Sequence, residues 1–233
     1  MGGQNLRGIE MIKVAVATPS VGMMRTRYAV SLLRMYDYFI RTPILGLEDE
    51  PKQLGYLSLE GSMVYSGREK FVDDVVNGDY THLLFIDDDM GFREDSLNIL
   101  LSRQVPIVAV NYRMKVPPCH FTARKLDNSG WIETNPQSDS LEEALFSGFG
   151  MCLMERQVLE KIAKPRFLPQ YEPETQSYST EDYTFFQKTR EAGFPLLIDH
   201  KVSKRVYHIG NWFYSYDDSF PEYLKNPAAE RAR

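Results

Sequence analysis

Three consecutive aspartates, Asp87, Asp88 and Asp89, follow directly on an apolar run in the stretch HLLFIDDDM. Neighbouring carboxylates repel one another, so their pKa values rise unless a cation or hydrogen-bond donors compensate. On an extended backbone Asp87 and Asp89 project to one side and Asp88 to the other, which lets a D-x-D pair share one hard cation. The spacing therefore predicts a site for Mg²⁺ or Mn²⁺. The alternative is a strand end that caps a turn, where aspartate is common.

A second group of carboxylates lies in the stretch STED at 179–182. Ser179 precedes Asp182 by three residues, which is the spacing of a capping box at the start of a helix. A carboxylate in that position can also act as a general base toward a hydroxyl held nearby. The spacing alone leaves both interpretations open.

Three further stretches carry groups suited to binding. The stretch SGFG at 147–150 is either a tight turn or a loop whose backbone approaches a ligand closely. His208, at the end of the apolar run RVYHIG, is either a structural residue or a third metal ligand. Arg68, in SGREK, is either an anion-binding group or a surface charge.

Alternating strands and helices must position these residues. The β-branched run MIKVAVATPS at 11–20 predicts a buried first strand. Up to residue 110 the same alternation continues, with strands predicted at YLSLE, HLLFI and PIVAV and helices at RYAVSLLRMYDYFIRT, SMVYSGREKFVDDVVNGD and DSLNILLSR. The pattern predicts an α/β fold in a single domain, with a mixed, mostly parallel, Rossmann-like central sheet flanked by helices. In such a sheet the ligand crevice lies beyond the carboxyl ends of the strands, where the aspartates are.

The rhythm changes after residue 111. The sequence there predicts a hairpin in HFTARKLDNSGWIET, a strand and helix in LFSGFGMCLMERQVLEKI, a Pro-rich loop at 163–178, a helix in EDYTFFQKTREAGF and short strands in PLLID and RVYHIG. Residues 1–210 form the predicted domain. Residues 211–233, beginning with the aromatic run NWFYSY, are predicted to form a docked flap with a charged tail.

Composition limits the classes of function. The chain has 233 residues and a formal net charge of −5, which argues against binding nucleic acid by bulk electrostatics. It has 43% hydrophobic residues but no apolar run of the roughly 20 residues that a membrane span requires. Two cysteines are too few for a disulfide framework, so a reducing compartment and a cytoplasmic location are expected.

Taken in order, these motifs resemble the GT-A glycosyltransferases, which transfer a sugar from a nucleotide-sugar donor. Five features carry this resemblance: the strand ending Thr18-Pro19, D-x-D at 87–89, the glycine-rich SGFGMCLMERQVLEKI, the pair Glu181-Asp182 and His208 near the end of the chain. The compact family-2-like members of bacteriophages and bacteria are the ones that this sequence resembles most. The resemblance is carried by the stretches THLLFIDDDM and STEDYTFFQKTREAGFPLLIDHKVSKRVYHIG. The resemblance covers about residues 12–210, and a phage-encoded member would work in the host cytoplasm.

The resemblance implies a role for each matching position. A divalent cation, Mn²⁺ or Mg²⁺, and the donor's ribose and diphosphate would be held by Asp87 and Asp89, with Asp88 in support and His208 completing the metal ligands. Asp182 would be the catalytic base of an inverting displacement, and Glu181 would contact the acceptor. The remaining positions would line the donor pocket: Thr18, Pro19 and Arg68 at the nucleotide, and Gly148 and Gly150 beside the donor sugar.

Two other functions remain open at this point. A nucleotidyltransferase that makes nucleotide sugars should carry a glycine-rich, basic phosphate loop after the first strand, and TPSVGMMRTR has a single glycine there. A non-catalytic module could keep the fold and hold a ligand with its aromatic flap. For a transferase, the acceptor could be a polysaccharide, a small metabolite or a hydroxymethylated base of phage DNA. The loop 163–178 and the flap are the regions expected to choose it.

Overall fold

A computed structural model describes residues 11–61, 63–210 and 213–216 of the chain. Its strands are β1 Ile12–Ser20, β2 Lys52–Glu60, β3 His82–Ile86, β4 Met90–Gly91, β5 Ile107–Ala109, β6 Arg124–Lys125, β7 Leu141–Phe146, β8 Met151–Glu155, β9 Tyr171–Glu172, β10 Ser177–Tyr178, β11 Leu196–Asp199, β12 Tyr207–Ile209 and β13 Phe213–Ser215. Its helices are α1 Thr26–Arg41, α2 Val64–Asn77, α3 Ser96–Ser102, α4 Arg156–Lys161, α5 Glu181–Glu191 and α6 His200–Ser203.

The main sheet has eight strands in the order β2-β1-β3-β8-β5-β11-β7-β6. Strands β7 and β8 run antiparallel to both of their neighbours, and the other strands of this sheet share one direction. The predicted single α/β domain with a mixed sheet is confirmed. The sheet is mostly parallel in the sense that six of its eight strands run in one direction. Because β8 is antiparallel to β3, the glycine stretch that precedes β8 comes to the carboxyl end of β3, where Ile86 pairs with Met151.

Helices cover both faces of the sheet, so the domain has three layers. Alternate residues of β3 point to opposite faces, with Leu83 and Phe85 in one apolar core and Leu84 and Ile86 in the other. The first core is closed by α2, α4 and α5, and the second by α1, α3 and α6. Strands buried on both faces read as continuous apolar runs, which explains why β1 and β3 are evident in the sequence.

Several short elements depart from the sequence prediction. The loop predicted at 163–178 contains the two-stranded β9–β10 hairpin, and the short helix α6 separates β11 from β12. The predicted hairpin around residue 127 is short: β6 has two residues, and Arg124 forms an isolated bridge with Trp131. Elements of two to four residues are too short to show a periodicity, so the sequence pattern does not predict them.

The start of the predicted aromatic flap is partly described. Strand β13 pairs with β12, which itself pairs with β4 directly after the aspartates. Arg113 donates hydrogen bonds to the carbonyl oxygens of Ser215 and Tyr216, both at 3.1 Å. Trp212 and the charged tail lie outside the described residues, and the boundary at residue 210 stays a prediction. No helix among the described residues has the length and apolar character to cross a membrane.

Candidate functional site

Arg68 is the centre of the site and joins motifs that are far apart in the sequence. Its guanidinium donates to Glu181 at 2.6 Å and to Asp182 at 3.4 Å through one terminal nitrogen, and to Asp87 at 3.1 Å through the other. Its side chain is only 4% exposed. A buried arginine requires carboxylate partners. Through it, α2 connects the carboxyl end of β3 to the start of α5.

An aromatic cluster beneath Arg68 fixes the segments that carry these carboxylates. The ring of Phe149, between β7 and β8, lies 5.3 Å from Phe85 of β3 and 5.4 Å and 5.0 Å from Phe185 and Phe186 of α5. The Arg68 guanidinium lies 4.6 Å above the Phe149 ring. Ring packing of this kind is rigid and directional, so β3, the glycine stretch and α5 are held in one arrangement.

Helix α5 presents its two carboxylates in its first turn. Thr180 is the N-cap, and its hydroxyl accepts from the Tyr183 backbone N–H at 3.2 Å. The capping-box spacing correctly predicts a helix start here, but Thr180 replaces Ser179 as the cap. Burial raises the pKa of Asp182 to about 7, because desolvation and the nearby carboxylates of Glu181 and Asp87 together outweigh the attraction of Arg68. About a quarter of the Asp182 side chain (24%) is exposed, so it remains accessible from solvent.

The three aspartates lie in different electrostatic surroundings. Burial raises the pKa of Asp87 despite Arg68, and burial also raises the pKa of Asp88, although the Ser20 hydroxyl opposes that change. Burial alone would raise the pKa of Asp89 too, but hydrogen bonds from His208 and Lys115 bring it down to about 2. Asp89 is therefore the member of the trio whose ionised form the site favours most.

The small sheet brings His208 to Asp89. Pairing of β12 with β4 places His208 opposite Met90, and the Ile209 N–H donates to the Asp89 carbonyl at 2.6 Å. In the side chain, His208 Nδ1 lies 3.0 Å from the carbonyl oxygen of Arg113 and Nε2 lies 3.3 Å from Asp89 Oδ1. A carbonyl can only accept, so Nδ1 carries a proton, and the hydrogen bond from Nε2 to Asp89 requires a second proton on the ring. Loss of the Nε2 proton would leave a lone pair that faces the carboxylate and could bind a cation.

These donors suit a divalent cation. A backbone carbonyl that fixes the tautomer of a histidine, with the other nitrogen free to ligate, is the usual support of a metal-binding imidazole. Arg68 contacts Asp87, and Lys115 contacts Asp89, so basic side chains compensate both carboxylates in this conformation. Within residues 11–61, 63–210 and 213–216, no three His, Cys, Asp or Glu side chains are already gathered as a metal cluster. Binding at Asp87, Asp89 and His208 therefore requires the carboxylates to turn from Arg68 and Lys115.

The two glycines of the glycine stretch make room for a tyrosine that the sequence did not single out. Tyr112 is buried, and its hydroxyl accepts from the Gly150 N–H at 3.0 Å. A Cβ at Gly150 would lie 2.5 Å from the ring Cζ, and one at Gly148 would collide with the phenol oxygen. Tyr112 also packs edge-on against His208, with 5.2 Å between ring centroids. It thus links the glycine stretch to the histidine.

The two glycines should differ in a way that isolates the Tyr112 hydroxyl. We expect Gly148→Ala and Gly150→Ala each to lower the free energy of unfolding by about 1–3 kcal/mol, because both overfill a packed site. Tyr112→Phe removes the oxygen that is the nearest atom to a Cβ at Gly148, whereas a Cβ at Gly150 would still meet two ring carbons at 2.5 and 2.6 Å. Urea unfolding of the two double-mutant cycles should therefore show a favourable coupling of about 1 kcal/mol for Gly148 and a smaller one for Gly150. Equal couplings would contradict this packing.

The residues predicted at the nucleotide are placed differently from one another. The Thr18 side chain is fully buried, and its hydroxyl is 2.5 Å from that of Tyr28 in α1, so it connects the end of β1 to α1. Pro19 follows it and is half-buried. Arg68 is brought to the carboxylates rather than to the surface. The sequence neighbour Glu69 turns away and binds Arg166 at 2.6 Å, which anchors the segment before β9 to α2.

Residues found only in the structure share one property. Tyr112 and Lys115 reach the site, and Arg166 anchors the segment before β9, through contacts between segments distant in the sequence. None of the three lies in a recognisable motif. The basic residues of the stretch 113–125 are the one local signal that could have pointed to Lys115, which contacts Asp89. Nothing in the local sequence indicates the other two.

Comparisons with known proteins establish similarity at the level of the fold. No protein-family model matches the chain, and no curated protein matches its sequence. The chain is similar to the crystal structure of A197 from STIV, with a TM-score of 0.55 and 19% sequence identity. The similarity covers 90% of this chain and 97% of A197. The chain therefore shares with a solved protein, over nearly the whole length of both, its single mixed α/β domain.

Proposed function

We propose that this protein is a metal-dependent, inverting glycosyltransferase of the GT-A type. The observation that carries the proposal is the convergence, at the carboxyl end of β3, of Asp87, Asp89, His208 and Asp182. The pKa of Asp182, about 7, supports it because a general base works best with a pKa near the operating pH. The nucleotidyltransferase alternative has no comparable support, since the segment after β1 has one glycine.

Each residue then has a defined task. The acceptor hydroxyl attacks the anomeric carbon of the donor sugar, the bond from that carbon to the phosphate oxygen breaks, and Asp182 takes the hydroxyl proton. The nucleoside diphosphate leaves with the bonding electron pair. Arg68 orients Asp182 and Glu181 at the start of α5, and Glu181 contacts the acceptor. One displacement with one base inverts the configuration at the anomeric carbon.

The charge balance of the site supports a cation-dependent donor. Among the described residues, three basic side chains, Arg25, Arg68 and Lys115, face five carboxylates: Asp87, Asp88, Asp89, Glu181 and Asp182. A diphosphate would add further negative charge. Asp87, Asp89 and His208 would hold Mn²⁺ or Mg²⁺, which when bound stabilises the negative charge of the departing diphosphate.

The test is donor binding by the full chain with and without Mn²⁺. Thermal unfolding should shift upward with a nucleoside-diphosphate sugar only when Mn²⁺ is present, because a ligand of the native state raises its stability. Slow hydrolysis of the same donor, measured as released nucleoside diphosphate, should accompany the shift. Each sugar nucleotide of a panel covering the common bases and sugars is tested separately.

A matched pair of variants locates the cation. Asp89→Asn should abolish the Mn²⁺-dependent shift, whereas Asp127→Asn, the same change in the exposed turn after β6, should leave it intact. Failure of every sugar nucleotide to bind or be hydrolysed would overturn the proposal. A donor shift that is equal without Mn²⁺ would overturn its metal dependence.

A further inference from the structure

The β9–β10 hairpin carries two tyrosines that the described fold leaves open to solvent. Tyr171 and Tyr178 lie opposite each other in the two strands, with 5.3 Å between ring centroids and an interplanar angle of 63°. Their exposures, 53% and 71%, are high for a pair of touching aromatic rings. A pair that served only packing would cover its rings.

The hairpin is fixed to the catalytic end of α5. The Ser179 N–H donates to the Gln170 carbonyl at 2.8 Å, and the Gln170 N–H donates to the Ser179 hydroxyl at 2.9 Å. That hydroxyl also lies 2.8 Å from the Thr184 hydroxyl in α5. Tyr178 precedes Asp182 by four residues, a span of at most about 14 Å of chain. The rings are therefore held within reach of a molecule bound at Asp182.

The acidic charge of the hairpin segment limits which molecules can bind there. Residues 169–182, PQYEPETQSYSTED, contain four acidic residues and no lysine or arginine. The basic side chains just before the hairpin are used internally, since Arg166 pairs with Glu69 and Asp73, and Lys164 pairs with Asp73. Binding to DNA depends on lysine and arginine at the phosphates, so a polyanion is repelled here.

We propose that the β9–β10 hairpin is the acceptor subsite of this protein and that the acceptor is a neutral saccharide. The inference rests on the proposed function and names its acceptor class. A sugar ring offers a face of C–H bonds, which the electron-rich face of a tyrosine attracts, and an edge of hydroxyls. The hairpin supplies hydroxyls as well, with Thr175 and Ser177 2.7 Å apart and exposed.

The experiment titrates the full chain with neutral hexasaccharides of gluco, manno, xylo and galacto configuration and detects binding by ligand-observed NMR. At least one hexasaccharide should bind, and Tyr171→Ala and Tyr178→Ala should each lower its affinity about tenfold. Tyr178→Trp should restore binding, which separates loss of a ring from damage to the hairpin. Tyr36→Ala, a matched change of an exposed tyrosine on α1, should bind as the wild type does.

A second arm uses duplex DNA containing hydroxymethylated cytosine at about 50 mM and about 200 mM salt. We expect no binding at either concentration, and saccharide binding that is unchanged between them. Salt-sensitive DNA binding, absence of binding by every hexasaccharide, or equal binding by the tyrosine-to-alanine variants would overturn the inference. A dimer, detected by light scattering, that Tyr178→Ala converts to monomers would also overturn it, because the hairpin would then be a dimer interface. Donor hydrolysis by the wild type tests the proposed function separately, because it requires no acceptor.

Discussion

Asp182→Asn should abolish sugar transfer while making the folded protein more stable. The loss of transfer should be about 10²- to 10⁴-fold, because asparagine cannot take the acceptor proton. The change keeps the size of the side chain and an oxygen for Arg68, so donor binding should survive. A non-catalytic binding module predicts no transfer by either the wild type or the variant. The measurement is initial-rate transfer beside the Mn²⁺-dependent thermal shift with donor.

The gain in stability follows from the direction of the Asp182 pKa shift. The pKa in the folded protein, about 7, lies above the ordinary value of 3.8, so folding disfavours the ionised form. This penalty is absent below about pH 4, grows as the pH rises to about 7 and is constant above that. Asparagine removes it, so the variant should be more stable at about pH 8 by at most about 4 kcal/mol. Urea unfolding at about pH 4 and about pH 8 checks this dependence.

Two controls accompany this variant. In the wild type, transfer should fall as the pH drops below about 7, because protonated Asp182 cannot act as a base. Glu181→Gln removes a neighbouring carboxylate that also binds Arg68 at 2.6 Å, and its loss of transfer should be much smaller. If Glu181→Gln cost as much as Asp182→Asn, the two carboxylates would have to exchange their assigned roles.

The elements that position the site were predictable where one local signal dominates. Strands β1 and β3 are buried on both faces and read as continuous apolar runs, and the helix start at Thr180 has both a cap and acidic residues. The direction of β8 was not predictable, because a buried strand has the same composition in either direction. That direction decides where Gly148 and Gly150 lie.

The contacts within the site were less predictable than its members. Asp87, Asp182 and His208 were singled out from residue type and order, whereas the local sequence around Arg68 fits a surface charge equally well. The partner of Arg68 at Glu181 is 113 residues away, and no local pattern encodes a pairing at that distance. Tyr112 follows an apolar strand as many core tyrosines do. Its role depends on two glycines from another segment that leave space for its ring.

Arg68→Leu should be the most destabilising single change at the site. It leaves Asp87, Glu181 and Asp182 without the cation that each contacts, and removing one partner of a buried ion pair typically costs about 3–5 kcal/mol. Arg68 lowers the pKa of Asp182 and Asp87, so its stabilising effect requires ionised carboxylates. The destabilisation should be largest above about pH 7 and decrease as the pH falls through that value.

Arg166→Leu provides a matched control for this change. Arg166 is also buried, with a side chain 8% exposed, and pairs with Glu69 at 2.6 Å and Asp73 at 3.1 Å, away from the aspartates. Both variants should lose stability by urea unfolding. Only Arg68→Leu frees the Asp87 oxygen that its guanidinium occupies, so only this variant should be stabilised by Mn²⁺ more strongly than the wild type.

The comparison of the two arginines thus separates packing from competition for the carboxylates. A greater Mn²⁺ shift in Arg68→Leu means that guanidinium and cation compete for Asp87, since freeing the carboxylate strengthens cation binding. Equal Mn²⁺ shifts in Arg68→Leu, Arg166→Leu and the wild type would show that Asp87 takes no part in holding the cation. Unchanged stability of Arg68→Leu at about pH 8 would contradict the central place of Arg68 between β3 and α5.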